Sequence, residues 1–166
     1  MEEKNTCIYQ TNFIQSSLIE AVKHLGEAYN PFYLYGETGV GKTSMLHEVS
    51  NLVNEMYPDK KVCYTTARMI AEEIVEAHKK QGTYINKLKD KYYEIDVLLV
   101  DDIQYLMGKE TTQKEFLKIF EPMCKCGKQI VVACDKYFEN ESALTDEMRN
   151  FFASGLSSEI KPSDKP

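Results

Sequence analysis

Between Gly36 and Thr43 the chain reads Gly-Glu-Thr-Gly-Val-Gly-Lys-Thr, which is the spacing GxxxxGK[ST]. The chemistry this spacing serves is the holding of a nucleotide's phosphates. A row of backbone N–H groups does that best, and glycines let the backbone curl closely enough. A helix that opens inside the loop adds the positive end of its dipole. On this reading Gly36, Thr38, Gly39, Val40 and Gly41 form the cradle. Lys42 reaches the β and γ phosphates, and the Thr43 hydroxyl is one ligand of a magnesium ion bridging them. A second constellation follows at Asp101 and Asp102, directly after an apolar run. An acid in that place orients the metal, usually through water, and its neighbour polarises an attacking water. Asp101 is assigned to the metal and Asp102 to the water; a solvated acid pair closing a strand is the plainer alternative. Asp135, just past Ile130–Cys134, sits where a polar side chain faces the γ-phosphate, or else serves as a turn aspartate.

These residues need elements to hold them, and the pattern of apolar residues supplies candidates. Phe32–Tyr35 is a strand leading into the loop, and Met45, Leu46, Val49, Leu52, Val53 and Met56 make one face of the helix leaving it, closed by Pro58. Ahead of the strand, Ile14, Leu18, Val22 and Leu25 recur at helical spacing, which predicts a helix over Asn12 to Ala28. Val62–Thr65 is a second strand. Two helical stretches follow, one through Met69, Ile70, Ile74 and Val75, the other through Tyr84, Ile85, Leu88, Tyr92 and Tyr93, with Gly82 between them. The helical spacing of Tyr84, Tyr92 and Tyr93 favours core or half-buried packing over base stacking, and His47, one turn after Lys42, reads as a helix-packing residue. The run Val97–Val100 is apolar throughout, as a parallel strand buried on both faces requires. Thr111 to Cys124 reads as a helix with Phe116, Leu117, Phe120 and Met123 inward, Ile130–Ala133 as another buried strand, Thr145 to Ala153 as a short helix and Gly155 to Ile160 as a last strand. Strand and helix alternate throughout, which predicts a doubly wound α/β sheet covered on both faces.

With 166 residues the chain is sized for one domain with a real core, and 43% hydrophobic against 28% charged residues is ordinary for a soluble protein. No apolar stretch approaches the roughly 20 residues of a membrane span, and Met1-Glu2-Glu3-Lys4-Asn5 has no signal-peptide character. The expectation is a cytoplasmic protein without membrane partners. The five cysteines, Cys7, Cys63, Cys124, Cys126 and Cys134, form no disulfide framework. Cys124-Lys125-Cys126 lacks a second pair that would complete a zinc site. A net charge of −6 argues against binding duplex DNA alone, so any nucleic-acid contact is expected to be local, weak or shared among protomers.

Taken together, these residues resemble the AAA+ ATPase domain of the bacterial replication initiator DnaA. The resemblance runs from about Cys7 to Pro162 and is carried by Ala28-Tyr29-Asn30-Pro31, by Leu46-His47 with Asn51, and by Asp101-Asp102-Ile103-Gln104 followed by Gly108-Lys109-Glu110, Gln113 and Phe116. It implies an α/β P-loop NTPase fold of AAA+ type, with a five-stranded parallel sheet between helices, and ATP or ADP with Mg2+ as cofactors. The expected layout is a linker and helix over residues 1–30, an α/β core over 31–162 and a tail over 163–166. The chain stops where the family's helical lid would begin. The resemblance implies that adenine is held near the segment before the first helix, where Ile8 and Asn12 match pocket positions and a family glycine is Tyr9. It also implies that the paired helices between Ala67 and Glu94 help protomers form a spiral and grip single-stranded DNA, with Val75 and Lys109 at gripping positions. Thr111 replaces a basic residue there, which is expected to weaken that grip. Phe151 stands at the family's arginine-finger position and Glu147 at another family arginine. Arg149 is near enough to substitute, though a shift of two residues points it elsewhere on a helix.

The function expected from this resemblance is a nucleotide switch for ATP-dependent self-assembly, with like protomers or other DnaA-family protomers, on DNA. Hydrolysis is expected to be slow at most. The alternatives are a non-hydrolysing adaptor or regulator of the same family, and a helicase loader with the replicative helicase as partner. A small P-loop kinase needs arginines over the phosphates, and the chain has only Arg68 and Arg149.

Overall fold

Five parallel strands, β1 (Phe32–Tyr35), β2 (Val62–Thr66), β3 (Val97–Asp101), β4 (Gln129–Cys134) and β5 (Leu156–Glu159), form one sheet in the order β2-β3-β4-β1-β5. The structure, a computed structural model, describes residues 2–162, with side chains placed for 13–139 and 141–162. Parallel neighbours require crossovers, and the chain makes them through α2 (Lys42–Met56), the pair α3 (Ala67–Lys79) and α4 (Tyr84–Tyr93), α5 (Glu110–Lys125) and α6 (Asp146–Ala153). The two buried faces follow from the twofold alternation of a strand. Phe32, Leu34, Val97, Leu99, Val131 and Ala133 pack with α2 and with α1 (Glu2–Lys23). Tyr33, Leu98, Val100, Ile130, Val132 and Cys134 pack on the other side with α3 to α6. β3 and β4 are buried at every position, which is why Val97–Val100 and Ile130–Cys134 within them read as unbroken apolar runs.

Most predicted elements lie within a residue or two of the observed ones, and the exceptions have physical causes. The first helix occupies Glu2–Lys23 rather than Asn12 to Ala28. It stops because residues 24–28 turn to meet β4: the Gly26 N–H donates to Gln129 Oε1 at 3.0 Å. Asn30 then pins the approach to β1, donating from Nδ2 to the Lys128 carbonyl (2.7 Å) and accepting the Ile130 N–H on Oδ1 (2.9 Å). Positions 8 and 12 therefore lie within α1 and not ahead of the first helix, while the Ile8, Tyr9 and Asn12 side chains are outside the described residues. Of the tyrosines expected in packing, Tyr92 is buried, but Tyr84 and Tyr93 are exposed. Met69 and Val75 also face outward, because α3 turns Ile70, Ala71 and Ile74 to the core. Among the described residues no helix is long and apolar enough to cross a membrane.

Candidate nucleotide-binding site

In the sheet order, β1 lies beside β4 and β4 beside β3, so the segments following Tyr35, Asp101 and Cys134 emerge side by side at the C-terminal edge. Ligand crevices of open α/β sheets form at that edge. The loop after β1 starts at Gly36, where an added Cβ would lie 2.2 Å from the Ile160 carbonyl oxygen, so no larger residue fits without moving the chain after β5. It ends at Gly41, the residue capping α2, whose φ of 104° is open to glycine and strained for other residues. No side chain caps that helix end. Lys42, only 9% exposed, folds its ammonium back onto the loop and donates to the Gly36 carbonyl (2.6 Å) and the Glu37 carbonyl (2.7 Å). A cation held on carbonyls at the centre of a loop is placed to exchange them for an incoming anion.

Asp101 closes β3 and is 3% exposed. Its Oδ2 accepts from Thr43 Oγ1 at 2.6 Å and from the Tyr64 hydroxyl at 2.9 Å, and its Oδ1 accepts the Asp102 N–H at 2.9 Å. Burial, reinforced by the hydrogen bond to Asp101, pushes the Tyr64 phenol up to about 12, so at neutral pH it remains a proton donor. The Thr43 proton is directed at Asp101, which leaves the hydroxyl lone pairs free. A hydroxyl and a carboxylate are hard oxygen donors of the kind Mg2+ takes. The residues present thus fit that ion, which Thr43 and Asp101 would hold.

Asp102 follows in the left-handed region (φ 57°, ψ 46°) with its side chain exposed. Its Oδ1 accepts from Gln104 Nε2 at 3.0 Å, and Gln104 Oε1 accepts the Asp135 backbone N–H at 3.3 Å. Asp101, Asp102, Asp135 and the phosphate loop are therefore gathered at one edge. Two further residues of this cluster, Tyr64 and Gln104, have no assignment from the sequence. Gln104 is legible there only as part of a motif, and Tyr64 requires knowing that β2 lies next to β3. His47, read as a helix-packing residue, is instead exposed, with its ring against Tyr64 at 4.5 Å between centroids.

The sequence matches the family described as the bacterial DnaA ATPase domain over residues 9–159. The chain belongs to this family. It is 34% identical over 153 residues to the chromosomal replication initiator protein DnaA of Lachnoclostridium phytofermentans, covering 92% of this chain and 34% of that protein. Domain III of the Thermotoga maritima DnaA superposes with a TM-score of 0.87 at 33% identity, covering 93% of this chain and 64% of that one. A replication initiator DnaA bound to AMPPCP and single-stranded DNA gives 0.83 at 35% identity, covering 92% and 47%. The DnaC helicase loader, at 13% identity and a TM-score of 0.72 with 90% and 89% covered, shares the fold alone. The chain spans about a third of the length of the curated DnaA relatives it matches. Its fold is the α/β P-loop NTPase fold of the DnaA AAA+ domain.

Against the DnaA pattern, the structure separates the remaining residues. Val75 lines an open groove of about 400 Å³ with Ile74, His78, Lys79, Thr111, Thr112 and Glu115. Lys109 stands at the head of α5 on the segment leading to Thr111, its ammonium over the Tyr105 ring (4.0 Å to the centroid) and donating to the Tyr105 carbonyl (2.5 Å). Phe151, which the resemblance sets at the family's arginine-finger position, is 6% exposed and packs beside Phe152 in the core. Arg149 is engaged within its own chain. Its guanidinium donates to the Glu141 carbonyl (2.8 Å) and the Leu144 carbonyl (2.6 Å) and pairs with Asp146, so it ties the turn before α6 to that helix.

Proposed function

We propose that the chain is the ATP-binding switch of a DnaA-type replication initiator, taking Mg2+ with ATP or ADP and assembling with like protomers on DNA. Gly36, Thr38, Gly39, Val40 and Gly41 cradle the phosphates, Lys42 neutralises them, and Thr43 with Asp101 holds the metal ion. Asp102 polarises water and Asp135 faces the γ-phosphate. Ile8 and Asn12 contribute to the adenine site, and Val75 and Lys109 contribute weakly to a single-stranded DNA contact. The observation that carries this reading is the 2.6 Å hydrogen bond from Thr43, the last residue of the phosphate-loop motif, to the buried Asp101. The magnesium ion supplies positive charge to the phosphate oxygens when bound; Lys42 and the loop N–H groups supply the rest. Calorimetry with Mg-ATP and Mg-ADP tests it: the unaltered chain binds both, and Lys42→Ala binds neither. Equal binding by that variant, or none by the unaltered chain, removes the switch reading.

A second reading has its own support. The buried Phe151 and the engaged Arg149 favour a DnaA-related adaptor that offers a nucleotide site and supplies no finger to a neighbour. Mixing the chain with a DnaA protomer that retains the finger distinguishes them. ATP turnover that appears only in the mixture supports the adaptor, and turnover by the chain alone supports the self-assembling switch.

A further inference from the structure

Gln104 sits on the 3-10 turn Ile103–Leu106 and touches both strand ends that matter for the γ-phosphate. Its Nε2 donates to Asp102 Oδ1 at 3.0 Å, and its Oε1 accepts the Asp135 N–H at 3.3 Å. A primary amide offers a donor at one end and an acceptor at the other without charge. Those properties suit this place. Asp101, Asp102 and Asp135 already put three carboxylates at the edge, and a fourth acid would add repulsion. Asp102 needs an external brace, because it is an exposed side chain on a non-glycine residue held at φ 57°, and an unrestrained carboxylate there turns freely between rotamers. With Oδ1 engaged by Gln104, the plane of the carboxylate is set and Oδ2 remains for a water proton. The same side chain fixes the distance between the ends of β3 and β4.

We propose that Gln104 is a positioning residue for ATP hydrolysis, acting through Asp102 and keeping it in register with Asp135. This rests on the nucleotide-switch reading. Two substitutions separate its contacts. Gln104→Glu keeps an acceptor for the Asp135 N–H and turns a carboxylate on Asp102, whereas Gln104→Met removes both hydrogen bonds at similar volume. For each, the Mg-ATP dissociation constant, the single-turnover hydrolysis rate and the melting temperature are measured on the whole chain. The expected result is Mg-ATP binding within about twofold of the unaltered chain and hydrolysis slowed about tenfold to a hundredfold, as misplacement of a reacting group produces. Gln104→Glu loses at least as much as Gln104→Met although it keeps the bond to β4. Hydrolysis by Gln104→Glu within about twofold of the unaltered rate overturns the proposal, as does a loss of binding that accounts for the slower rate, which marks a merely structural brace. An unaltered chain that binds Mg-ATP and hydrolyses none overturns the Gln104 role and leaves the nucleotide reading standing. An unaltered chain that binds no nucleotide ends both.

Discussion

Asp101 Oδ2 receives two hydroxyl protons, and the two donors differ in what they are worth. Thr43 donates from the head of α2, directly after the phosphate loop in the chain; Tyr64 donates from β2 with its ring against His47. Thr43→Val keeps the shape and removes the hydroxyl. It is expected to abolish the Mg2+ dependence of nucleotide affinity, read by calorimetry with and without the metal. Because Asp101 is buried and keeps its other partners, the same change costs about 1–2 kcal/mol of stability, checked by urea unfolding. Tyr64→Phe removes a bond at a partly exposed group, and about 1 kcal/mol or less is expected from the same measurement. Lys42, Thr43, Asp101 and Asp102 were all legible as chemistry from residue type and spacing. Tyr64 was not, because it stands 37 residues away and reaches Asp101 only through strand pairing.

At the scale of elements, the turn leading into α6 is held by two polar anchors, a buried Gln113 and a half-buried Arg149. Gln113, fully buried on α5, donates to the Leu106 carbonyl (2.7 Å) and the Ala143 carbonyl (3.0 Å) and accepts the Thr145 N–H (2.8 Å). Gln113→Ala leaves these groups without partners and opens a cavity, so a loss of about 3 kcal/mol in chemical denaturation is expected. Arg149 does comparable work from α6. Arg149→Ala frees the Glu141 and Leu144 carbonyls, and a loss of about 1–3 kcal/mol is expected with Mg-ATP affinity unchanged. Calorimetry and denaturation on the same variant check both halves. The helices and strands themselves were readable wherever one periodicity dominated, as in α5 and β4. The first helix ends five residues before Ala28, where the chain turns at Gly26 (φ 76°), a glycine the sequence does show near the end of the pattern, and donates to Gln129, a tertiary contact it does not.

For the whole molecule, the decisive residue is Phe151. It belongs to the same core cluster as Tyr33, Phe138 and Phe152, far in character from a surface that meets a neighbour's phosphates. Phe151→Ala is expected to cost about 3–5 kcal/mol. Phe151→Arg is expected to lower the melting temperature by at least as much and to confer no turnover on a mixed assembly, since a guanidinium there is buried without a partner. A stable Phe151→Arg protein with finger activity would show that α6 can turn this position outward.

What the sequence determined by itself was local: the phosphate loop, the acids closing apolar runs, and the alternation of strand and helix that dictates a covered parallel sheet. Each depends on neighbours a few residues apart, where the period of a strand or helix and the freedom of glycine act directly. The tertiary structure alone decided which strands adjoin, and with that the pairing of Thr43 and Tyr64 on Asp101 and of Asp102 and Asp135 through Gln104. It also decided that Phe151 is core and that Arg149 is an anchor. Burial and long-range hydrogen bonds arise from packing elements distant in sequence, and no spacing along the chain encodes them.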